Sequence, residues 1–173
     1  MDLLGVAHTL DAFAGVMGFG SAGLVIASMA GYFMGPLDTM QETALATAPT
    51  AKLMGLSSVQ SILRDQPDQA YRLAKRANQL RVQAASLTWG LVGARINSIS
   101  PGHVATPMGR LEAQNGGNAQ RVASLISGSA IGRQGTPHDI ANVAAFLLSP
   151  EAAYITGTDL LVDGGAVSGA RWN

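Results

Sequence analysis

Between Asp11 and Asp38 the chain carries no charged side chain, a stretch long enough in principle to cross a bilayer as a helix. A run of that kind must be hidden in lipid or in a protein core. Gly31-Tyr32-Phe33-Met34-Gly35 even offers the small-xxx-small spacing of packed membrane helices. Against lipid, the run holds six glycines and two serines, is not flanked by clustered lysine and arginine, and divides into helix end, turn, strand and loop. The strand is Leu24-Val25-Ile26-Ala27, continuously apolar as a parallel strand covered on both faces is expected to be. The core reading therefore leads, and with it an α/β fold.

Periodicity supports alternating helix and strand in one domain over residues 1–173, with no internal repeat. Leu3, Val6, Ala7, Leu10, Phe13, Ala14 and Met17 recur at helical spacing and predict a helix over about Leu3 to Met17, followed by the strand at about Leu24 to Ser28. Short helices are expected from Gly31 to Gln66, a segment punctuated by Pro36 and Pro49. A long helix from Pro67 or Asp68 to Thr88 carries Ala70, Leu73, Ala77, Leu80, Ala84 and Leu87 as an apolar stripe. A second strand at about Ala94 to Ser100 leads into a Gly- and Asn-containing loop from Pro101 to about Asn118. Thr136-Pro137-His138-Asp139 reads as an N-cap, a proline at the first helical position and an acidic first turn, opening a helix that ends near Ser149-Pro150. The last strand is expected at about Asp159 to Val162, with Asp163-Gly164-Gly165 as a turn.

The long helix also carries chemistry. Tyr71 and Lys75 are four apart, so they share one helical face and can serve one pocket. A free tyrosine titrates near ~10, and a neighbouring ammonium favours the phenolate, lowering that value toward the range of an acid/base catalyst. Ser28, at the end of the first strand, could hold a substrate oxygen while Tyr71 exchanges its proton and a nicotinamide exchanges the hydride. Alone, Tyr-x-x-x-Lys is a weak motif that describes better a partly buried tyrosine beside a solvated lysine.

Further segments follow in order: Arg95-Ile96-Asn97-Ser98-Ile99-Ser100-Pro101-Gly102, then Val104 and Thr106, Gly132-Arg133-Gln134-Gly135-Thr136-Pro137 with Asp139-Ile140-Ala141, Ile155-Thr156-Gly157, and Asp159-Leu160-Leu161-Val162-Asp163-Gly164-Gly165. With Ser28, Tyr71 and Lys75, this series resembles the C-terminal, catalytic part of the short-chain dehydrogenase/reductase family, over nearly the whole chain. The resemblance implies part of a Rossmann-like, doubly wound parallel sheet of about three strands with flanking helices. It implies Ser28, Tyr71 and Lys75 as catalytic residues, with Lys75 also touching the nicotinamide ribose. Pro101, Gly102, Val104 and Thr106, with Tyr71 and Lys75, would bind NAD or NADP, and the substrate would be a small-molecule secondary alcohol or ketone.

Two departures from the family pattern stand out. Asp2-Leu3-Leu4-Gly5 falls where the family has Asn-x-x-Gly, so aspartate replaces the asparagine that helps relay protons to the lysine. The family's strand, glycine-rich turn and helix that take the pyrophosphate do not precede Asp2 in this sequence. Gly18-Phe19-Gly20-Ser21-Ala22-Gly23 spells G-x-G-x-x-G, yet with a helix before and a strand after, the reverse of the phosphate-binding order, so it is read as a loop. The spacing from Ser28 to Tyr71 is long for the family, and residues 31–66 are expected as an insertion: a cap over the substrate pocket, an oligomer contact or a plain surface excursion. The loop after Thr106, with Met108, Leu111, Gly116 and Gly117, is a second candidate lid. With only three strands, the strand ending at Ser28 would be an apolar sheet edge that invites a partner, and a homo-oligomer is expected.

Eleven basic and eleven acidic residues give a formal net charge of zero, so no basic field argues for nucleic acid or an anionic membrane. The absence of cysteine removes disulfides and thiolate metal sites and is compatible with a reducing cytoplasm. The N-terminus lacks the positively charged region of a secretory signal. His8, His103 and His138 are too scattered for a metal site, and no metal is expected. Three functions remain open: an NAD(P)-dependent oxidoreductase with a Ser-Tyr-Lys mechanism, a catalytically inactive chain that keeps the fold or an oligomer interface, and a small membrane-associated protein.

Overall fold

The computed structural model describes residues 2–114 and 116–172. Its three strands, β1 Ala22–Ile26, β2 Arg95–Pro101 and β3 Asp159–Val162, form a parallel sheet in the order β1-β2-β3. Ala22 lies opposite Arg95, and Ser98 opposite Asp159. The helices are α1 Asp2–Ala14, α2 Thr39–Thr47, α3 Thr50–Leu53, α4 Ser57–Asp65, α5 Ala70–Gly90, α6 Pro107–Gln114, α7 Gly116–Ser127, α8 Pro137–Leu148 and α9 Ala166–Trp172. Parallel strands need crossover segments, and here helices supply them. The result is the expected α/β architecture with a partial Rossmann-like sheet.

Helix α5 packs against β2, against α1 and against α2. Between helices and sheet, Leu10, Val82, Trp89, Ala94 and Ile96 make one core, and Gly23 admits the Trp89 ring so closely that a Cβ there would come within 2.6 Å of it. On the outer side Leu3, Ala7, Leu45, Leu53, Val59, Leu73, Ala77 and Leu80 make a second core. The expected stripe on α5 is right for Leu73, Ala77 and Leu80 and wrong for Leu87, which is 77% exposed. Partners on several sides of α5 bury Asn78, Gln79, Arg81 and Val82 as well, and Trp89 takes the inward place near the helix end.

The uncharged run folds as the end of α1, a turn, β1 and a 3-10 turn at Met29–Phe33. Among the described residues no helix is long and apolar enough to cross a membrane. The glycine-rich stretch forms a turn, with Ser21 N donating to Gly18 O and Gly20 at φ 80°, and then enters β1. That order, helix then turn then strand, is the one expected of a loop that binds no phosphate. β1 has one sheet partner, β2, so its other side is an edge, with Ile26 half exposed.

Two expectations need correction. α1 stops at Ala14, where Val16 N and Met17 N both turn back to Phe13 O. The loop expected from Pro101 to Asn118 is largely helix: α6 starts at Pro107 behind the Thr106 hydroxyl, which accepts from Gly109 N at 3.0 Å, and α7 starts at Gly116, while Asn115 lies outside the described residues. After Asp163-Gly164-Gly165 the chain forms a further helix, α9, whose first turn is held by the Asp163 carboxylate accepting from Gly165 N and Val167 N. Residues 31–66 form a layer of short helices, as expected. Leu45, Leu53 and Val59 are buried against α1 and α5, Arg81 donates to the carbonyls of Leu45 and Ala48 at the end of α2, and Glu42 pairs with Arg76 at 2.5 Å.

Leu45 is fully buried, so Leu45→Ala should destabilise the fold by about 2–5 kcal/mol in urea denaturation. Leu87→Ala, on the exposed side of α5, should change stability by less than about 0.5 kcal/mol.

Candidate active site

β1 and β2 end side by side. Ala27 N continues their pairing by donating to Ile99 O at 2.8 Å, and Ser28, still extended, caps the 3-10 turn with its hydroxyl accepting from Ala30 N at 3.1 Å. Ser28 thus lies just beyond the strand rather than inside it. Its carbonyl is held from below by Gln79 of α5, whose Nε2 donates to Ser28 O at 3.3 Å and to Ser100 Oγ at 2.9 Å. Gly31 approaches Gln79 so closely that a Cβ would stand 2.7 Å from its amide nitrogen. Ser100 in turn donates to Asp159 at 3.0 Å, which also accepts from Ser98 at 2.5 Å and from the Tyr32 hydroxyl at 2.8 Å. Burial, then the Asp159 carboxylate, push the Tyr32 phenol well above its ordinary range, so Tyr32 is a permanent donor.

Tyr71 lies in the first turn of α5 and is half exposed, while Lys75, one turn on, is 9% exposed. The Lys75 Nζ stands 5.5 Å from the centre of the Tyr71 ring and 3.8 Å from Asp2 Oδ1 at the start of α1. The shared face expected from the four-residue spacing is therefore present. The expected lowering of the Tyr71 pKa by Lys75 is not: burial pushes the phenol up, hydrogen bonding with Ser28 pulls it down, and the carboxylates of Asp2 and Glu112 push it up again, with a net upward shift. An ammonium paired with a carboxylate presents little net charge to its neighbour.

The segment after β2 is fixed by close backbone contacts. Gly102 N donates to Val162 O at 2.9 Å, and a Cβ on Gly102 would stand 2.6 Å from the Asp163 Cα. Val104 forms a parallel bridge with Gly135. Gly109 sits so close to the Val104 carbonyl that any Cβ would collide with it. His103 Nδ1 lies 3.3 Å from Gln134 Nε2, while its Nε2 is buried, without a hydrogen-bond partner, 4.0 Å from Glu112 Oε2.

These elements enclose a cleft of about 480 Å³ lined by Ser28, Tyr71, Pro101, Gly102, Val104 and Thr106. All the expected site residues except Lys75 face it, and Lys75 stands against the Tyr71 ring. Of the other walls, Phe33 falls in the segment expected as a possible cap, whereas Met29 from the 3-10 turn and Glu112, Arg121, Val122 and Leu125 from α6 and α7 were not anticipated from sequence as parts of a site. Phe33 is the one residue of 31–66 that reaches the cleft. Met108, named as part of a lid, does line it. A signal for α6 was available, since Thr106-Pro107 is the same cap-then-proline pair as Thr136-Pro137. Among the described residues no group of His, Cys, Asp and Glu could hold a metal ion.

A family model described as enoyl-(acyl carrier protein) reductase matches residues 5–167. The chain is 40% identical over 171 residues to the short-chain dehydrogenase/reductase bsc3 of Alternaria brassicicola, covering 97% of this chain and 61% of that protein. It is 29% identical over 167 residues to the 3-alpha-hydroxysteroid dehydrogenase/carbonyl reductase of Comamonas testosteroni, covering 95% and 63%. Among solved structures, the 3-alpha-hydroxysteroid dehydrogenase from Pseudomonas sp. B-0831 complexed with NADH superposes with a TM-score of 0.80 at 27% identity, covering 98% of this chain and 65% of that one. The chain thus spans about three-fifths of the length of these relatives.

Replacing Gln79 by leucine should leave Ser100 and the Ser28 carbonyl without their donor and destabilise the fold by about 1–3 kcal/mol, measurable as a lower urea midpoint.

Proposed function

The chain belongs to the short-chain dehydrogenase/reductase family, and we propose that its cleft interconverts a secondary alcohol and a carbonyl with NAD or NADP. The observation that carries this reading is the convergence of Ser28, Tyr71, Pro101, Gly102, Val104 and Thr106 on one cleft at the carboxyl ends of two adjacent parallel strands, the place where open α/β sheets bind ligands. Lys75 strengthens it: its side chain is buried, among the described residues its ammonium makes no hydrogen bond, and its single ionic partner is Asp2 at 3.8 Å, which leaves donors free for a ribose hydroxyl.

The residues present fit the nicotinamide end of such a cofactor. Tyr71 and Lys75 would hold its ribose, and Pro101, Gly102, Val104 and Thr106 would lie along the nicotinamide and the adjoining phosphates, on a backbone kept rigid by the contacts at Gly102 and Gly109. When bound, the cofactor supplies or takes the hydride. Ser28, fixed through its carbonyl by Gln79, orients the substrate oxygen. Tyr71 gives a proton to that oxygen in reduction and takes one from it in oxidation. Met29, Phe33, Val122 and Leu125 offer an apolar wall, and the charges at the cleft, Asp68 and Glu112 against Arg72 and Arg121, balance. An uncharged, largely apolar alcohol or ketone is the substrate class that fits. It agrees with the hydroxysteroid and carbonyl reductase names of the relatives. The edge of β1 supports association with a second copy as the working assembly.

The raised phenol sets the pH dependence. Tyr71 stays protonated at neutral pH, so reduction should be flat through neutrality and fall only as pH rises through the elevated pKa, whereas oxidation, which needs the phenolate, should climb over the same alkaline range. Calorimetric titration of NADH and NADPH into the folded chain tests the cofactor site, and saturable binding of either is expected. Tyr71→Phe should lower turnover at least about 100-fold with unchanged circular dichroism. Retained turnover would remove Tyr71 from the proton-exchanging role, and no binding by the folded protein would remove this function in favour of a chain that keeps the fold alone.

A further inference from the structure

Asp2 stands next to the reacting groups without facing the cleft. It opens α1 with its side chain half exposed, and its Oδ1 lies 3.8 Å from the Lys75 Nζ, on a lysine side chain that is only 11% exposed. The same Nζ lies 5.5 Å from the centre of the Tyr71 ring. Asp2, Lys75 and Tyr71 therefore form a row from solvent to cleft. An ammonium with no counter-charge would draw the adjacent phenol toward phenolate, whereas an ammonium matched by a carboxylate exerts little field.

We propose that Asp2 is a positioning residue that holds the Lys75 ammonium and cancels its charge at Tyr71, keeping the phenol protonated so that the site works as a proton donor over a wider pH range. The proposal rests on the reading of Tyr71 as the proton-exchanging group. The groups that act on Tyr71 are Ser28 after β1, Asp2 from α1, Glu112 from α6 and Lys75 on α5 itself, and the other titratable or charged groups lining the same cleft are Asp68, Arg72, Arg121 from α7 and His103, which stands 4.0 Å from Glu112. Of the carboxylates, Asp2 and Glu112 raise the phenol, and Asp2 is the one that pairs with Lys75. The aspartate also occupies the position where the family pattern has asparagine, so the neutral isostere is the natural comparison.

The test needs neither cofactor nor turnover. Stopped-flow pH jumps on the full chain, read by phenolate ultraviolet absorbance before any unfolding, give the Tyr71 ionisation midpoint once the Tyr71→Phe trace, which carries Tyr32 and Tyr154, is subtracted. Asp2→Asn should lower that midpoint by about 0.5 pH unit. Asp2→Ser, also a favourable helix-start residue, should lower it equally, and Asp2→Glu should leave it in place. A midpoint unmoved by Asn and Ser, or moved as far by Glu as by Asn, would overturn the proposal. A shifted midpoint in a chain that fails to turn over would instead uphold the Asp2 electrostatics and count against the oxidoreductase reading alone.

Discussion

The Asp159 carboxylate accepts three hydroxyl hydrogen bonds, two from Ser98 and Ser100 on the central strand and one from Tyr32 in the turn that follows Ser28. Hydrogen bonds to an ionised acceptor are among the stronger ones a protein makes, and a partly buried carboxylate left without them would be costly. The arrangement links β3 to β2 and draws the 3-10 turn onto the sheet. Through Ser100 it also orients Gln79, and through Gln79 the Ser28 carbonyl. The position of the candidate substrate-binding hydroxyl is thus set both by polar contacts under the sheet ends, which hold the Ser28 carbonyl, and by the turn that bears it, whose Ala30 N donates to the hydroxyl.

Above that base, rigidity and charge are divided between two sets of residues. Close approach at Gly102 and Gly109 locks the backbone from Pro101 to Thr106 against β3 and α6, so the cleft wall has little freedom to adjust. The charged row of Asp2, Lys75 and Tyr71 belongs to helices α1 and α5, which meet in the outer core around Leu3, Ala7 and Leu73. Anything that loosens α1 on α5 changes the electrostatics at the phenol before it changes the shape of the cleft.

The strands were legible from sequence because each is short, apolar or motif-bearing, and bounded by turn residues. Ser28, Tyr71, Lys75 and the Pro101–Thr106 segment were legible because helical spacing and a family pattern converge on them. What escaped was set by tertiary packing. Leu87 completes a regular stripe, yet α5 is contacted on several sides and the inward position near its end goes to Trp89. Helices α6 and α7 were obscured by glycine and asparagine, although Thr106-Pro107 announced the first of them. The role of residues 31–66 could not be read from composition, since apolar residues suit an outer core and a pocket cap equally well. The polar residues of β2, Asn97, Ser98 and Ser100, look ill-suited to a central strand until their partners Ile155, Thr158 and Asp159 are seen.

Those same pairings carry a kinetic consequence. Ser98 meets Asp159 across 61 residues of chain, and the β1–β2 pairing joins Ala22 to Arg95 across a comparable distance. No hairpin brings any two strands together, so the sheet can form only after long loops have closed, at an entropic expense that local contacts do not repay. Helix α5, long and packed against α1, α2 and β2, is the surface on which such a search would converge. The order of assembly then follows: helices first, and the hydroxyl–carboxylate cluster last. The setting of Ser28 would thus be among the final features to appear as the polypeptide folds.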